Sequence, residues 1–147
     1  MLLLVCFSCR CCCCHSFYCR SFLLLTAERA WLESSGCSYL DKMEGGESKN
    51  EEDAQLAFAA ETDRVYKDTP ETTLVIESGR PAMRVDQTNS FSDTVVWNPW
   101  MAKAGVMQDF EDASWPSMLC VEACVAATPL SLSSHETWVG SQTLTPL

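Results

Sequence analysis

Apolar and polar residues alternate in short runs through much of this 147-residue chain, and a period of two marks strands with one buried face. Leu56, Phe58 and Ala60 predict such a strand, and Val65 and Tyr66 carry it past the polar step Glu61–Arg64 until Pro70 closes it. Thr72 to Ile76 are β-prone, Ser78-Gly79-Arg80-Pro81 supplies a turn, and Met83 to Val85 begin the return strand of a hairpin. The run "SDTVVWNP" is a further strand, β-branched and aromatic, stopped by Pro99. Met101, Ala104 and Met107 fall at helical spacing and predict one short helix in "WMAKAGVMQDF". "MLCVEACVA" is again a strand. Leu130/Leu132 and Trp138 to Leu144 predict two more, with Ser133 to Glu136 as the turn between them. Residues 41–53, rich in Gly, Glu and Lys without periodicity, read as a solvated loop. Six or seven short strands with regular turns and almost no helix predict an all-β protein, an antiparallel β-sandwich.

Cysteine and charge divide the chain in two. Cys6, Cys9, Cys11, Cys12, Cys13, Cys14, Cys19 and Cys37 crowd the start, whereas the rest holds only Cys120 and Cys124. Residues 1–38 carry three Arg against two Glu, and residues 39–147 carry seven Lys and Arg against 18 Asp and Glu. This places a boundary at 38/39, with a Cys-rich apolar leader ahead of an acidic body. The leader fits a membrane span or signal peptide poorly, because Arg10, His15 and Arg20 interrupt it. As a zinc site it lacks a second ligand pair at finger spacing. Clustered Cys beside apolar residues also match sites of palmitoylation. The simplest reading is a low-complexity segment outside the fold. So many thiols favour a reducing compartment, and the acidic body argues against nucleic-acid binding, which needs a basic footprint.

Two acids stand in apolar company. Glu122 is the sole charge between Trp115 and Ala126. Desolvation on a buried strand would raise its pKa toward a general base's range, although an outward-facing Glu would give the same pattern. Asp63, in "AAETDRVY", is open to an ion pair with Arg64 or to capping a turn. His135 lies in a Ser-rich turn, and neither it nor His15 pairs by sequence with a nucleophile. Cys120 and Cys124 read as small buried hydrophobes on one face of a strand. Trp97 and Trp100, on either side of Asn98-Pro99, suggest a sugar-stacking platform, a partner patch or core packing. A strand running into a turn favours core packing, with both rings inside the sandwich.

The segments "ETDRVYKDTP", "SDTVVWNPW", "MQDFEDASWPSMLCVEA" and "ETWVGSQTL", in this order and spacing, resemble the glucose-6-phosphate 1-epimerases. These are the hexose-6-phosphate mutarotases of the aldose 1-epimerase superfamily, and the likeness runs from Tyr39 to Leu147. It implies a galactose-mutarotase-like supersandwich, of which this chain would supply the C-terminal portion. It also implies interconversion of the α and β anomers of glucose 6-phosphate by general acid–base ring opening and closure, with no cofactor and no metal. Glu122 matches the family's general base, and Asp63 is similar to an Asp that holds sugar hydroxyls. The implied protein is a cytoplasmic monomer that takes a hexose 6-phosphate, with neither nucleic acid nor membrane as partner. The family's acid, a His, and most of its phosphate-binding residues lie in an upstream part without counterpart here. "ACVAATP" also replaces the usual small or Gly-containing continuation after the Glu. Loss of one general acid costs roughly 10²–10⁴-fold in rate. A non-catalytic carbohydrate-binding module is therefore the alternative, and a membrane-associated Cys-rich protein with a passenger β-domain is a third.

Overall fold

Where β-branched and aromatic residues cluster, the backbone is extended and paired. The computed structural model describes residues 8–10, 17–19, 22–23, 30–32, 36–52, 56–88, 90–108, 110–128 and 130–147. The strands among them are β1 (Ser8–Arg10), β2 (Phe17–Cys19), β3 (Phe22–Leu23), β4 (Ala30–Leu32), β5 (Ser38–Asp41), β6 (Glu47–Asn50), β7 (Thr62–Tyr66), β8 (Thr72–Glu77), β9 (Arg80–Gln87), β10 (Asp93–Asn98), β11 (Leu119–Val125) and β12 (Gln142–Pro146). One α-helical turn, α1 (Trp100–Ala104), and two 3-10 segments, Lys42–Glu44 and Asp112–Ser117, complete the described elements. The large sheet runs β1-β2-β11-β10-β7-β5-β6, with β3 also pairing β11, and the small sheet runs β12-β9-β8-β4. Every pairing is antiparallel.

The two sheets stack through one apolar layer. Tyr39, Tyr66, Val96, Leu119 and Val121 project from the large sheet onto Val75, Met83 and Val85 of the small one. Burying each such side chain contributes about 1.5–3 kcal/mol, and Val75, Leu119 and Val121 are completely enclosed. Opposed residues in an antiparallel pair share a face. Val96 therefore stacks with Val121 of β11 and Arg64 of β7, whereas Val95 stacks with Glu122 and Val65 on the opposite face. The outward set forms a second, smaller cluster of Val65, Val95 and Cys124 flanked by Leu40, Trp97, Ala126 and Ala127.

Several elements follow the sequence pattern. The β8–β9 hairpin turns on Ser78 and Gly79, both at positive φ, so Arg80 and Pro81 already belong to the return strand. Such a two-residue turn matches the twist of the strands it joins. Strand β10 ends before Pro99, as expected, and α1 follows it directly.

Other elements differ. Residues 56–60 form no strand, yet Leu56 and Phe58 are buried in the inter-sheet cluster. Alternation there reports an extended segment that packs without pairing. Residues 41–53 are not a plain loop, since β5 and β6 pair as a hairpin with Gly45 and Gly46 at positive φ in the bend. Strand β6 is mostly exposed and so carries no apolar period. Residues 130–141 hold no strand among those described, and only β12 forms near the C-terminus. The helix is a single turn in which Ala104 is buried but Met101 is 63% exposed, so the expected apolar stripe packs at one position only. Strands β1 to β4 lie ahead of residue 39 and join both sheets.

Candidate functional site

The outward face of β7, β10 and β11 brings the two singled-out acids together. Glu122 sits in the middle of β11 and is only 7% exposed, which settles the question of its face: it is buried. Asp63 is on β7, two residues along and two strands away, because Trp97 of β10 opposes both Asp63 and Cys120. With strands about 4.8 Å apart, the two acids are separated by roughly 10 Å laterally. Val95 and the half-buried Trp97 pave the sheet between them. Both rings of the Trp97–Trp100 pair were expected inside the sandwich, and the face alternation corrects that for Trp97. Trp100 packs against the inter-sheet cluster and against Trp115, with ring centroids 4.1 Å apart.

Asn98 shapes the end of this strand. It is fully buried, and its side-chain amide donates to the carbonyl oxygens of Trp115 and Met118, while its Oδ1 accepts from the Trp100 backbone N–H at 2.8 Å. That capture holds Trp100 at φ 56, an unfavourable conformation for an aromatic residue. The Asn-Pro pair thus works as a structural clamp that fixes where β10 stops.

Asp63 does not pair with Arg64. Consecutive strand residues point to opposite faces, so Arg64 turns inward, where its Nη1 meets Glu51 at 2.9 Å and the Tyr66 hydroxyl at 3.2 Å. The Tyr66 hydroxyl donates to the same Glu51 oxygen at 2.7 Å, and the guanidinium lies 4.4 Å from the Tyr39 ring centroid. Burial pushes the Tyr66 phenol up, with Arg64 acting against the shift and Glu51 adding to it. The partner of Asp63 is Lys42, at 3.7 Å, from the 3-10 segment that follows β5. Spatial adjacency of β5 and β7, with Asp41 opposite Arg64, delivers that lysine. Neither Glu51 nor Lys42 stood out in the sequence, where both lie in a charged stretch that reads as loop.

Cys124 completes the face. It and Cys120 are fully buried, in keeping with small hydrophobes on one side of β11. Burial raises the Cys124 thiol well above its ordinary value, the carboxylates of Asp93 and Glu122 raise it further, and Lys42 acts the other way. Cys124 is therefore held protonated and is no nucleophile. Asp93, opposite Cys124, accepts the backbone N–H groups of Ala126 and Ala127 at 2.8 Å each and so bends the chain after β11. His135 lies in an exposed turn at φ 69, and His15 lies outside the described residues. Among the described residues no group of His, Cys, Asp or Glu is arranged to hold a metal ion. No helix among them is long and apolar enough to cross a membrane.

The family model described as aldose 1-epimerase matches residues 28–145. The chain belongs to the aldose 1-epimerase family. The match reaches upstream of Tyr39, where the resemblance in the motifs begins. A curated relative from Cenchrus ciliaris, named "Putative glucose-6-phosphate 1-epimerase", is 37% identical over 102 residues, which is 69% of this chain and 31% of that protein. The crystal structure of "a putative mutarotase (YeaD)" from Salmonella typhimurium superposes with a TM-score of 0.79 at 21% identity, covering 88% of this chain and 44% of that one. The structure named HI1317 superposes at 0.70 and 12% identity, covering 88% and 46%. The fold is thus the mutarotase-like β-sandwich. The chain spans less than half the length of these relatives.

Proposed function

We propose that this chain carries the base and hydroxyl-binding part of a hexose 6-phosphate anomerisation site. The observation that supports it is the shared outward face of β7, β10 and β11. That face holds a buried carboxylate, Glu122, and a partly exposed one, Asp63, two strand spacings across and two residues along, roughly 12 Å apart. A pyranose ring with its hydroxyls fits such a gap. In this role Glu122 takes the proton from the anomeric hydroxyl, the C1–O5 bond opens as O5 is protonated, and closure on the other face of C1 gives the second anomer. Asp63 accepts hydrogen bonds from ring hydroxyls, and charge assistance strengthens them. Glucose 6-phosphate as the sugar rests on the sequence motifs and on the name of the Cenchrus ciliaris relative.

The chemistry also needs an acid at O5. Of the chain's two histidines, His135 is exposed in its turn, and His15 lies outside the described residues. The test is mutarotation of freshly dissolved α-glucose 6-phosphate, followed by polarimetry. Acceleration over buffer that Glu122→Gln abolishes supports the proposal. A rate equal to buffer defeats the catalytic role, and sugar binding without turnover would then point to a carbohydrate-binding module.

A further inference from the structure

On the side away from β10, β2 is in register with Ala123 to Val125 and β3 with Leu119 and Cys120, and both pairings keep one register along β11. A buried backbone N–H or C=O left unpaired costs about 1–3 kcal/mol. A side chain from the other sheet meets β11 at the peptide groups beside Glu122. Gln142, at the start of β12 and 6% exposed, accepts the Ala123 N–H on its Oε1 at 3.2 Å and donates its Nε2 to the Val121 carbonyl at 3.1 Å. Those two peptide groups lie on either side of Glu122. The primary amide thus offers these two peptide groups one donor and one acceptor in a fixed plane.

A second buried amide supports the first. Gln87 on β9 is the register partner of Gln142 and is 8% exposed. Its Oε1 accepts from Thr94 at 3.4 Å and its Nε2 donates to Thr69 at 3.2 Å, while the Thr69 and Thr94 hydroxyls are 2.9 Å apart. Thr94 lies opposite Ala123 across the β10–β11 pair. The two glutamines therefore tie the small sheet to adjacent points of β11 and β10 directly behind Glu122. Gly140 lets the chain reach this place: a Cβ there would lie 2.6 Å from Trp138 and 2.8 Å from Phe91.

We infer that Gln142 is the positioning residue of Glu122, gripping the peptide groups on both sides of it so that the carboxylate stays aimed at the outward face. The functional weight of this rests on the reading of Glu122 as the base, but the grip itself does not. Gln142 touches no substrate and acts only through the β11 backbone.

The test compares Gln142→Met with Gln87→Met in the full chain. Both remove a buried amide and keep its shape, so both lower the melting temperature. Only Gln142→Met is expected to speed amide exchange at Ala123 beyond the rest of β11 and to move the Glu122 carboxyl titration, read by ¹³C NMR, by roughly half a pH unit. In the mutarotation assay it lowers kcat by about tenfold to 10²-fold with KM unchanged. Gln142→Glu, which keeps the acceptor for Ala123 and loses the donor to Val121, is expected to fall between and decides the matter if Gln142→Met does not fold. Identical Ala123 exchange and Glu122 titration in the Gln142 and Gln87 variants overturn the inference. Exchange and titration need no turnover, so an inactive wild-type chain removes the proposed function and leaves the positioning role to these measurements.

Discussion

The same three strands, β7, β10 and β11, present two faces of different character. Inward, Tyr66, Val96 and Val121 meet the small sheet in a closed apolar layer. Outward, Val65, Val95 and Cys124 form a comparable apolar floor, but Glu122, Asp63 and Trp97 are set into it. One-residue alternation separates the two. A buried carboxylate must be compensated for lost hydration, as Glu51 is inward by Arg64 and Tyr66 and Asp93 is outward by two backbone N–H groups. On the proposed reading, Glu122 and Asp63 serve a sugar.

The largest effect is expected on the inward face. Val121→Asp buries an unpaired carboxylate in the inter-sheet layer and costs about 4 kcal/mol or more, enough to abolish a cooperative melt followed by circular dichroism. Glu122→Gln, one residue away, is expected to lower the mutarotation rate by about 10²–10⁴-fold while stability moves by less than about 1 kcal/mol. Asp63→Asn weakens hydroxyl binding by about 1.5–3 kcal/mol, seen as a raised KM for glucose 6-phosphate.

Alkaline titration separates the faces more gently. The Cys124 thiol and the Tyr66 phenol are both raised above their ordinary values of 9.0 and 10.0, each first by burial. Their native states hold protons that the unfolded chain releases, so stability is at its full value below pH 9 and falls as pH rises beyond it. Melting temperatures taken from pH 8 to 11 should decline, and the slope should flatten in Cys124→Ala and in Tyr66→Phe. The smallest effect is at Lys42→Met: its pair with Asp63 is 42% and 31% exposed, so stability shifts by at most about 1 kcal/mol, and less at high salt.

The sequence showed the fold class and singled out Glu122 and Asp63 as candidates, and its limits have definite causes. Strands β8 to β11 were legible because β-branched runs end in Gly and Pro signals. The β5–β6 hairpin was not, since an edge strand with both faces wet has no apolar period. Leu56 and Phe58 imitate a strand because packing and pairing leave the same alternation. Lys42 beside Asp63 and Glu51 beside Arg64 come from the lateral neighbourhood of β5 and β7, which no local pattern records. The grip of Gln142 on β11 spans about twenty residues and two sheets, and its signal in the sequence is one polar residue in "VGSQTL".

The central claim, that one face of β11 holds the fold and the other the chemistry, is tested by two neighbouring substitutions measured together. Val121→Ala and Glu122→Gln are each taken through thermal melting and mutarotation of α-glucose 6-phosphate. The account predicts that Val121→Ala loses about 2 kcal/mol of stability and keeps its rate per folded molecule. Glu122→Gln should keep its melting temperature and lose its rate. Equal losses of stability and rate in both variants, or full activity in Glu122→Gln, would contradict it.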